Sequence, residues 1–290
     1  MVKPKPLFML FFLVLVVLAI LKYLRTRKFL PVATPTDSTM CLDSFDANGL
    51  YKSVFHMSMV QFMVPKTLSH WVENKSGFEI GAPSVSTWGH LGLYDAAAKV
   101  DATNFAAQTL WESGIKEGGP FLWKNRTLGK HFIRDAVDLH GIPDESYDFV
   151  CGTDILEHVA NPFKALLEWL RIMKPNGLLI VIVPYQNVTF DHKRNVAKIE
   201  HLIDDYQKKV TEKDLTHLDE ILRLHDLGRD AAAGGFDAFK ARSEKNFEIR
   251  GLHQHVYDQR LLYYIYRCLN VEVKSQYIWD YHQLIIGQKR

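Results

Sequence analysis

Three short apolar runs in the first half of the chain each end in a residue type that can contact a nucleoside. Gly81 ends the first run, Asp101 ends a second about twenty residues later, and Asp135 ends a third. A glycine lets the backbone approach a ligand closely, and a carboxylate at a strand end accepts hydrogen bonds from ribose hydroxyls. The spacing therefore indicates a cofactor that contains a nucleoside. An ordinary strand and turn would leave the same pattern, because Gly-x-Gly-x-x-Gly is absent.

The elements that must position these residues alternate between strand and helix. Apolar runs at 147–152 and 178–183 predict buried strands, and Asn161-Pro162 predicts the start of the helix between them. Strands are also expected at 271–273 and 284–287, with a helix over 258–268. This alternation predicts an α/β fold, a doubly wound, mostly parallel sheet whose ligand lies outside the carboxyl ends of the strands.

Two further segments complete the predicted domain over residues 47–290. Apolar residues at mostly helical spacing predict a helix over 47–72 that covers one side of the sheet. The segment from about residue 185 to 250 is expected to form a helical insertion before the last strands. Its position after the fifth strand predicts that it covers the substrate as a lid.

The chain over about 77–184 resembles the class I S-adenosylmethionine-dependent methyltransferases, specifically the type 11 methyltransferase domain. The stretches that carry the resemblance are Asp135-Ala136 with Asp138-Leu139, Pro143-Asp144-Glu145-Ser146-Tyr147-Asp148-Phe149-Val150, Leu156-Glu157-His158 and Leu170-Arg171-Ile172-Met173-Lys174-Pro175-Asn176-Gly177.

This resemblance implies a seven-stranded Rossmann-like sheet with S-adenosylmethionine as cofactor. The first glycine turn would contact the methionine part of the cofactor, the acid after strand two would hold the ribose, and the pair after strand three would border the adenine. Pro83 departs from the family pattern, since it stands where a further glycine is usual and removes an amide donor. The residues implied are Glu79, Gly81 and Ala82 for methionine, Asp101 for ribose, and Asp135 and Ala136 for adenine.

Methyl transfer to an oxygen or nitrogen acceptor needs a base when the nucleophile is protonated. His158 follows strand four, and Asp191 with His192 follows strand five, so these three are the expected catalytic residues, although each could be structural. We predict no metal, because no fixed ligand spacing or nearby cysteine is present. His253 and His255, with His217 or His192, remain an alternative metal-binding set.

Two other functions fit parts of the pattern. A degenerate methyltransferase-like domain could serve as a non-catalytic binding module at a membrane, and the proline in the glycine turn favours it. A nicotinamide-dependent dehydrogenase shares the acid after strand two but needs a three-glycine turn for the pyrophosphate. The methyl acceptor, a small molecule, lipid, glycan or protein, has no signature in the sequence.

The N-terminal region predicts a membrane anchor. Residues 7–24 are apolar apart from Lys22, long enough to cross the hydrocarbon core, and a basic flank follows in place of a signal-peptidase site. Residues 1–30 are therefore expected to be the anchor and 31–46 a linker. Residues 31–290 hold 29 Lys or Arg against 33 Asp or Glu, so nucleic acid is not an expected partner.

We expect a single-pass endomembrane protein, with the cytosolic side slightly favoured for the main domain. The four basic residues at the C-terminal end of the span, Lys22, Arg25, Arg27 and Lys28, favour it, whereas a Pro/Thr-rich linker and three Asn-x-Ser/Thr sequons favour the lumen.

Carbonate extraction tests the anchor. The full-length chain is expected to stay in the membrane pellet, because 18 residues of apolar span are not released by high pH. A soluble product that begins near residue 30 would instead identify a cleaved signal peptide. A loss of mass on deglycosylation would place the main domain in the lumen.

Overall fold

The computed structural model describes residues 40–43 and 55–290. The predicted anchor, most of the predicted linker and residues 47–54 lie outside this part of the chain. Within it, no helix has the length and apolar character that a membrane crossing requires.

A nine-stranded mixed sheet organises the described residues. Its spatial order is β1-β8-β9-β7-β6-β2-β3-β5-β4, and the pairs β8/β9, β9/β7 and β5/β4 are antiparallel while the others are parallel. The strands are β1 Val60–Gln61, β2 Ser76–Ile80, β3 Lys99–Asn104, β4 Pro120–Trp123, β5 Arg126–Ile133, β6 Tyr147–Thr153, β7 Met173–Pro184, β8 Val271–Trp279 and β9 His282–Lys289.

The doubly wound, mostly parallel sheet is confirmed, but its strand count is not. Seven of the strands, all except β1 and β4, have the predicted arrangement, with β8 and β9 as an antiparallel pair. The two extra strands are short edge strands: β1 pairs with β8, and β4 forms a hairpin with β5. Neither has a long apolar run, so the pattern did not reveal them.

The central strand β7 shows why the sheet is buried on both faces. Its residues 178–183 are all apolar and at most 4% exposed. Alternate side chains point to opposite faces. Leu179 and Val181 therefore join a core cluster with Trp169, while Leu178 and Ile180 join a second cluster across the sheet.

Helices cover these faces and form the insertion. The first face carries the longer helices, and two of these begin at side-chain caps: Asn161 accepts from the Lys164 amide, and Asp258 from the Leu261 amide. The helices are α1 Met40–Asp43, α2 Ser69–Val72, α3 Leu93–Ala96, α4 Pro162–Ile172, α5 Ile199–Gln207, α6 Leu218–Leu224, α7 Phe236–Ser243, α8 Asn246–Ile249 and α9 Gln259–Cys268.

The predicted helix over 47–72 is wrong for its described part. Residues 55–72 contain a short 3-10 turn at Met57–Met59, strand β1, and only the four-residue helix α2. The apolar side chains expected to face the sheet are exposed, among them Phe62 and Met63. Pairing of Val60–Gln61 with the edge strand β8 supplies backbone hydrogen bonds in place of helical ones.

A substitution at Gly129 tests how closely strands β3 and β5 approach each other. A Cβ atom there would lie 1.9 Å from the Val100 carbonyl oxygen and 2.8 Å from Asp101 Oδ1. Gly129→Ala must push two backbones apart, so we expect it to lower the free energy of unfolding by about 1–3 kcal/mol in denaturant titrations. Gly235→Ala is the control, because its Cβ would meet open space. Equal stability of the two variants would contradict this account.

Candidate active site

The carboxyl ends of the parallel strands open into one cavity of about 590 Å³. Segments after β2, β3, β5, β6 and β7 line it, as the topology of a doubly wound sheet predicts. The insertion and the β8–β9 turn complete its wall. Of the predicted site residues, Gly81, Asp135, Ala136 and His158 line the cavity, whereas Glu79, Ala82, Asp101, Asp191 and His192 do not.

The backbone amides of the turn after β2 donate hydrogen bonds to other groups of the protein. Gly81, at φ +77°, and Ala82 both donate to the Thr103 carbonyl, and the Ser84 amide donates to Glu79 Oε1 at 2.9 Å. Pro83 has no amide hydrogen and lines the cavity. The turn therefore allows close approach of a ligand but offers it no backbone donor between residues 81 and 84.

Glu79 holds this turn from behind instead of contacting the cavity. Its fully buried carboxylate accepts hydrogen bonds from Tyr94 Oη at 2.6 Å and from the Ser84 amide. Burial raises the pKa of Glu79 to about 7, against the opposing effect of these hydrogen bonds.

Asp101, predicted to hold the ribose, does not line the cavity. Asp101 lies inside β3 and is 2% exposed; its carboxylate accepts from Tyr147 Oη at 2.7 Å and Lys99 Nζ at 2.6 Å. The strand continues for three residues to Asn104, which does line the cavity. The Asn104 amide group donates to the Ala82 carbonyl, so its Oδ1 is the atom left to accept from a ligand. The end of a strand is the least certain feature of a sequence pattern, and here the strand extends three residues beyond Asp101.

The residues after β5 connect the core to the insertion. Asp135 accepts from Arg250 Nη2 at 3.0 Å, and Arg250 also lies 3.3 Å from the buried Glu212. Burial lowers the pKa of Arg250, while Asp135 opposes that effect. The adenine-side residues and the insertion thus share one ion-pair network at the cavity wall.

Glu157 and His158 follow β6, with contrasting roles. Both carboxylate oxygens of Glu157 are buried without a hydrogen-bond partner, and burial raises its pKa well above the usual range. His158 Nδ1 lies 3.0 Å from the Leu252 carbonyl, so it carries the proton. Burial and the nearby His253 lower the pKa of His158 to about 3, which makes it a weak base.

His253 is the cavity residue that sequence reasoning did not place in the catalytic set. Its Nδ1 lies 2.5 Å from Asp191 Oδ2, and its ring packs edge-on against His158 at 4.6 Å. An ionised carboxylate only accepts hydrogen bonds, so Nδ1 of His253 carries the proton. Its Nε2 is then free to accept a proton. The position follows β7 by about seventy residues, and no motif marks it.

Asp191 therefore acts behind the cavity wall. Burial alone would raise its pKa, yet His253 and Arg194 lower it to about 2, so Asp191 stays ionised. Arg194, itself 3% exposed, donates to Asp191 Oδ1 and to the backbone carbonyls of His253 and Gln254.

His192, predicted to be catalytic, does not line the cavity. His192 Nε2 lies 2.8 Å from Asp226 Oδ2, on the side of the segment that does not line the cavity. Adjacent residues of this turn point in different directions, so Asp191 faces inward and His192 faces the insertion.

Comparison with known proteins identifies the domain. A model described as "Methyltransferase domain" matches residues 104–181. The predicted resemblance to a methyltransferase domain is confirmed over these residues. No curated protein matches the chain in sequence.

Solved structures of S-adenosylmethionine-dependent methyltransferases are similar to this chain. One from Methanosarcina mazei has 14% identity and TM-score 0.46, covering 79% of this chain and 98% of its own. One from Aquifex aeolicus has 11% identity and TM-score 0.42, with 77% and 86% covered. One from Mesorhizobium loti has 12% identity and TM-score 0.42, with 78% and 94% covered.

Glu79 gives a pH test of the turn. Because its pKa of about 7 exceeds the ordinary 4.5, the folded state holds the proton more tightly than the unfolded state. Its stabilising contribution is fully present below about pH 4.5 and is lost as the pH rises through about 7. The free energy of unfolding of the wild type minus that of Glu79→Gln should therefore fall by roughly 3 kcal/mol over this range, at 1.36 kcal/mol per pKa unit.

Denaturant unfolding between pH 4.5 and 8 measures this difference. The matched control is Glu248→Gln, the same change at an exposed glutamate. A difference for Glu79→Gln that stays constant over this pH range would show that the buried carboxyl does not titrate there.

Proposed function

We propose that this protein is a membrane-anchored methyltransferase that acts on an O–H or N–H acceptor with an apolar part, and that His253 is its general base. The observation that carries the proposal is the 2.5 Å contact between His253 Nδ1 and Asp191 Oδ2 at the wall of the cavity. A histidine oriented by a buried carboxylate is a recurrent device for taking a proton from a nucleophile.

The residues at the cavity fit the predicted cofactor. Asn104 Oδ1 can accept from ribose hydroxyls, Asp135 can accept from an exocyclic amine, and Asp154 can pair with an ammonium group. S-adenosylmethionine, when bound, supplies an electrophilic methyl group on a sulfonium. The turn at 81–84 has no free amide, so donors for the methionine carboxylate must come from outside this turn.

The remaining chemistry belongs to the chain. His253 Nε2 accepts the proton of the acceptor, and the ionised Asp191 stabilises the imidazolium that forms. Arg194 fixes both residues by bonding one side chain and the backbone of the other. His158 is less suited to the role, since its low pKa disfavours the protonated form.

Exposed apolar side chains support an acceptor with an apolar part. Leu110, Trp111, Val188 and Tyr281 all line the cavity and are all exposed. Exposed apolar groups grouped at a ligand site favour contact with an apolar surface or ligand. A lipid, a glycan carried on a lipid, or a membrane protein satisfies this requirement.

The predicted anchor over residues 7–24 supports a membrane location. Exposed Met57, Met59, Phe62, Met63 and Val64 at the start of the described domain add apolar surface. We propose that the main domain lies close to an endomembrane, on the cytosolic side. The non-catalytic binding module is less favoured, because such a module has no need of a carboxylate-oriented histidine in its cavity.

The full chain in detergent, supplied with methyl-labelled S-adenosylmethionine and with lipid, glycan and protein fractions of membranes, tests the proposal. His253→Ala should lower turnover by at least about 100-fold, the usual contribution of a general base. Asp191→Asn should also lower turnover, because the amide cannot stabilise the imidazolium. Cofactor affinity, measured by calorimetry, should stay nearly unchanged in both.

His192→Ala is the matched control, since this neighbouring histidine lies outside the cavity and should keep turnover within about twofold. Turnover of His253→Ala within threefold of the wild type would exclude the general base. Tight cofactor binding by the wild type without any labelled product from any fraction would favour the non-catalytic module.

A further inference from the structure

Three histidines and one aspartate form a compact cluster away from the cavity. His201 lies in α5, His217 immediately precedes α6, and His255 lies in the segment between α8 and α9. One ring nitrogen from each of the three lies within 4.8 Å of the others. None of these residues, nor the neighbouring Asp205, lines the cavity.

The distances within the cluster match the edges of a tetrahedral site. His201 Nε2 lies 3.0 Å from His217 Nε2 and 3.4 Å from Asp205 Oδ2, and His255 Nε2 lies 3.1 Å from Asp205 Oδ2. A tetrahedral zinc ion with ligands at 2.0–2.1 Å has edges of about 3.3 Å. Three of the pairwise distances in the cluster are therefore close to the edge of such a site.

The surroundings suit a metal better than solvent. The side chains of His255 and Asp205 are 2% and 9% exposed, and the His201 side chain is 34% exposed. Imidazole nitrogens with one carboxylate oxygen are a ligand set that zinc accepts. The described part of the chain also groups Glu157, His158 and His253, but these lie at the cavity wall.

We propose that His201, His217 and His255 bind one Zn²⁺ ion in a structural site, with Asp205 beside His201 and His255. The site differs from the histidine set that the sequence offered as an alternative, because His253 and His192 lie apart from it.

Such an ion would join three pieces of the chain. It would tie α5 and the start of α6 to the segment that carries His253 two residues before His255. Without the ion, the same atoms hold one another only through single hydrogen bonds between neutral or singly charged groups. The site therefore supports the insertion and the wall of the cavity together.

Zinc binding by the full chain in detergent tests the site. After chelation and dialysis, competition with a chromophoric chelator should show one tight zinc site per chain, and Co²⁺ substitution should give the absorption of a tetrahedral ion. His217→Ala should weaken zinc binding by at least about 100-fold. His140→Ala, which removes an exposed histidine from a surface turn, should bind as the wild type does.

A measurement of thermal stability tests the site even where the His217→Ala variant does not fold. Added zinc at about 100 times its Kd should raise the Tm of the wild type by about 5–10 °C, and this shift should be absent in His201→Gln. No zinc binding by the wild type would overturn the proposal. So would loss of zinc in His253→Ala with zinc retained in His217→Ala, because that result would place the ion in the cavity. These readouts do not depend on methyl transfer.

Discussion

The organisation of the site depends on the contacts that the buried carboxylate of Asp191 makes. Its charge is balanced by Arg194 at 3.1 Å, and His253 Nδ1 donates a hydrogen bond to it at 2.5 Å. An uncompensated buried charge is costly, and removing one partner from such a group commonly destabilises a protein by about 3–5 kcal/mol. The chain after β7 is therefore held against the segment before α9 by an arrangement that tolerates little displacement.

Further contacts extend this constraint into the insertion. Arg194 also bonds Glu220 of α6, and the amide of Gln254 donates to the Glu157 carbonyl at 2.6 Å. Arg250 adds a connection from the insertion to Asp135 after β5. A segment that would otherwise be a surface loop is thus fixed to the ends of three strands, which gives the cavity a defined wall on the acceptor side.

In the turn after β2, one residue that differs from the family pattern, Pro83, changes which hydrogen-bond donors the site offers. A glycine-rich turn normally presents free amides to its ligand. Here Pro83 has none, and the amides of Gly81, Ala82 and Ser84 serve Thr103 and Glu79. The amides of this turn are therefore occupied, so donors for the charged end of a ligand have to come from outside residues 81–84.

The amino-acid sequence by itself determined the alternation of strands and helices, because the buried strands leave apolar runs and two of the long helices begin at a capping residue. It also placed Gly81, Asp135 and His158 at strand ends, since local turn residues mark where a strand stops. The same local reasoning put the ribose-binding residue at Asp101 and a helix over 47–72. It erred there because the extent of β3 and the formation of β1 depend on pairing with distant strands.

Only the tertiary structure decided which polar side chains act together. Asp191 and His253 are 62 residues apart, and His201 and His255 meet through a fold that no spacing rule describes. Neighbours in sequence, such as Asp191 and His192, separate because a turn sends adjacent side chains in different directions. Hydrogen bonds and ion pairs reach only a few ångströms, so partnership among side chains is set by the packing of elements and not by their order along the chain.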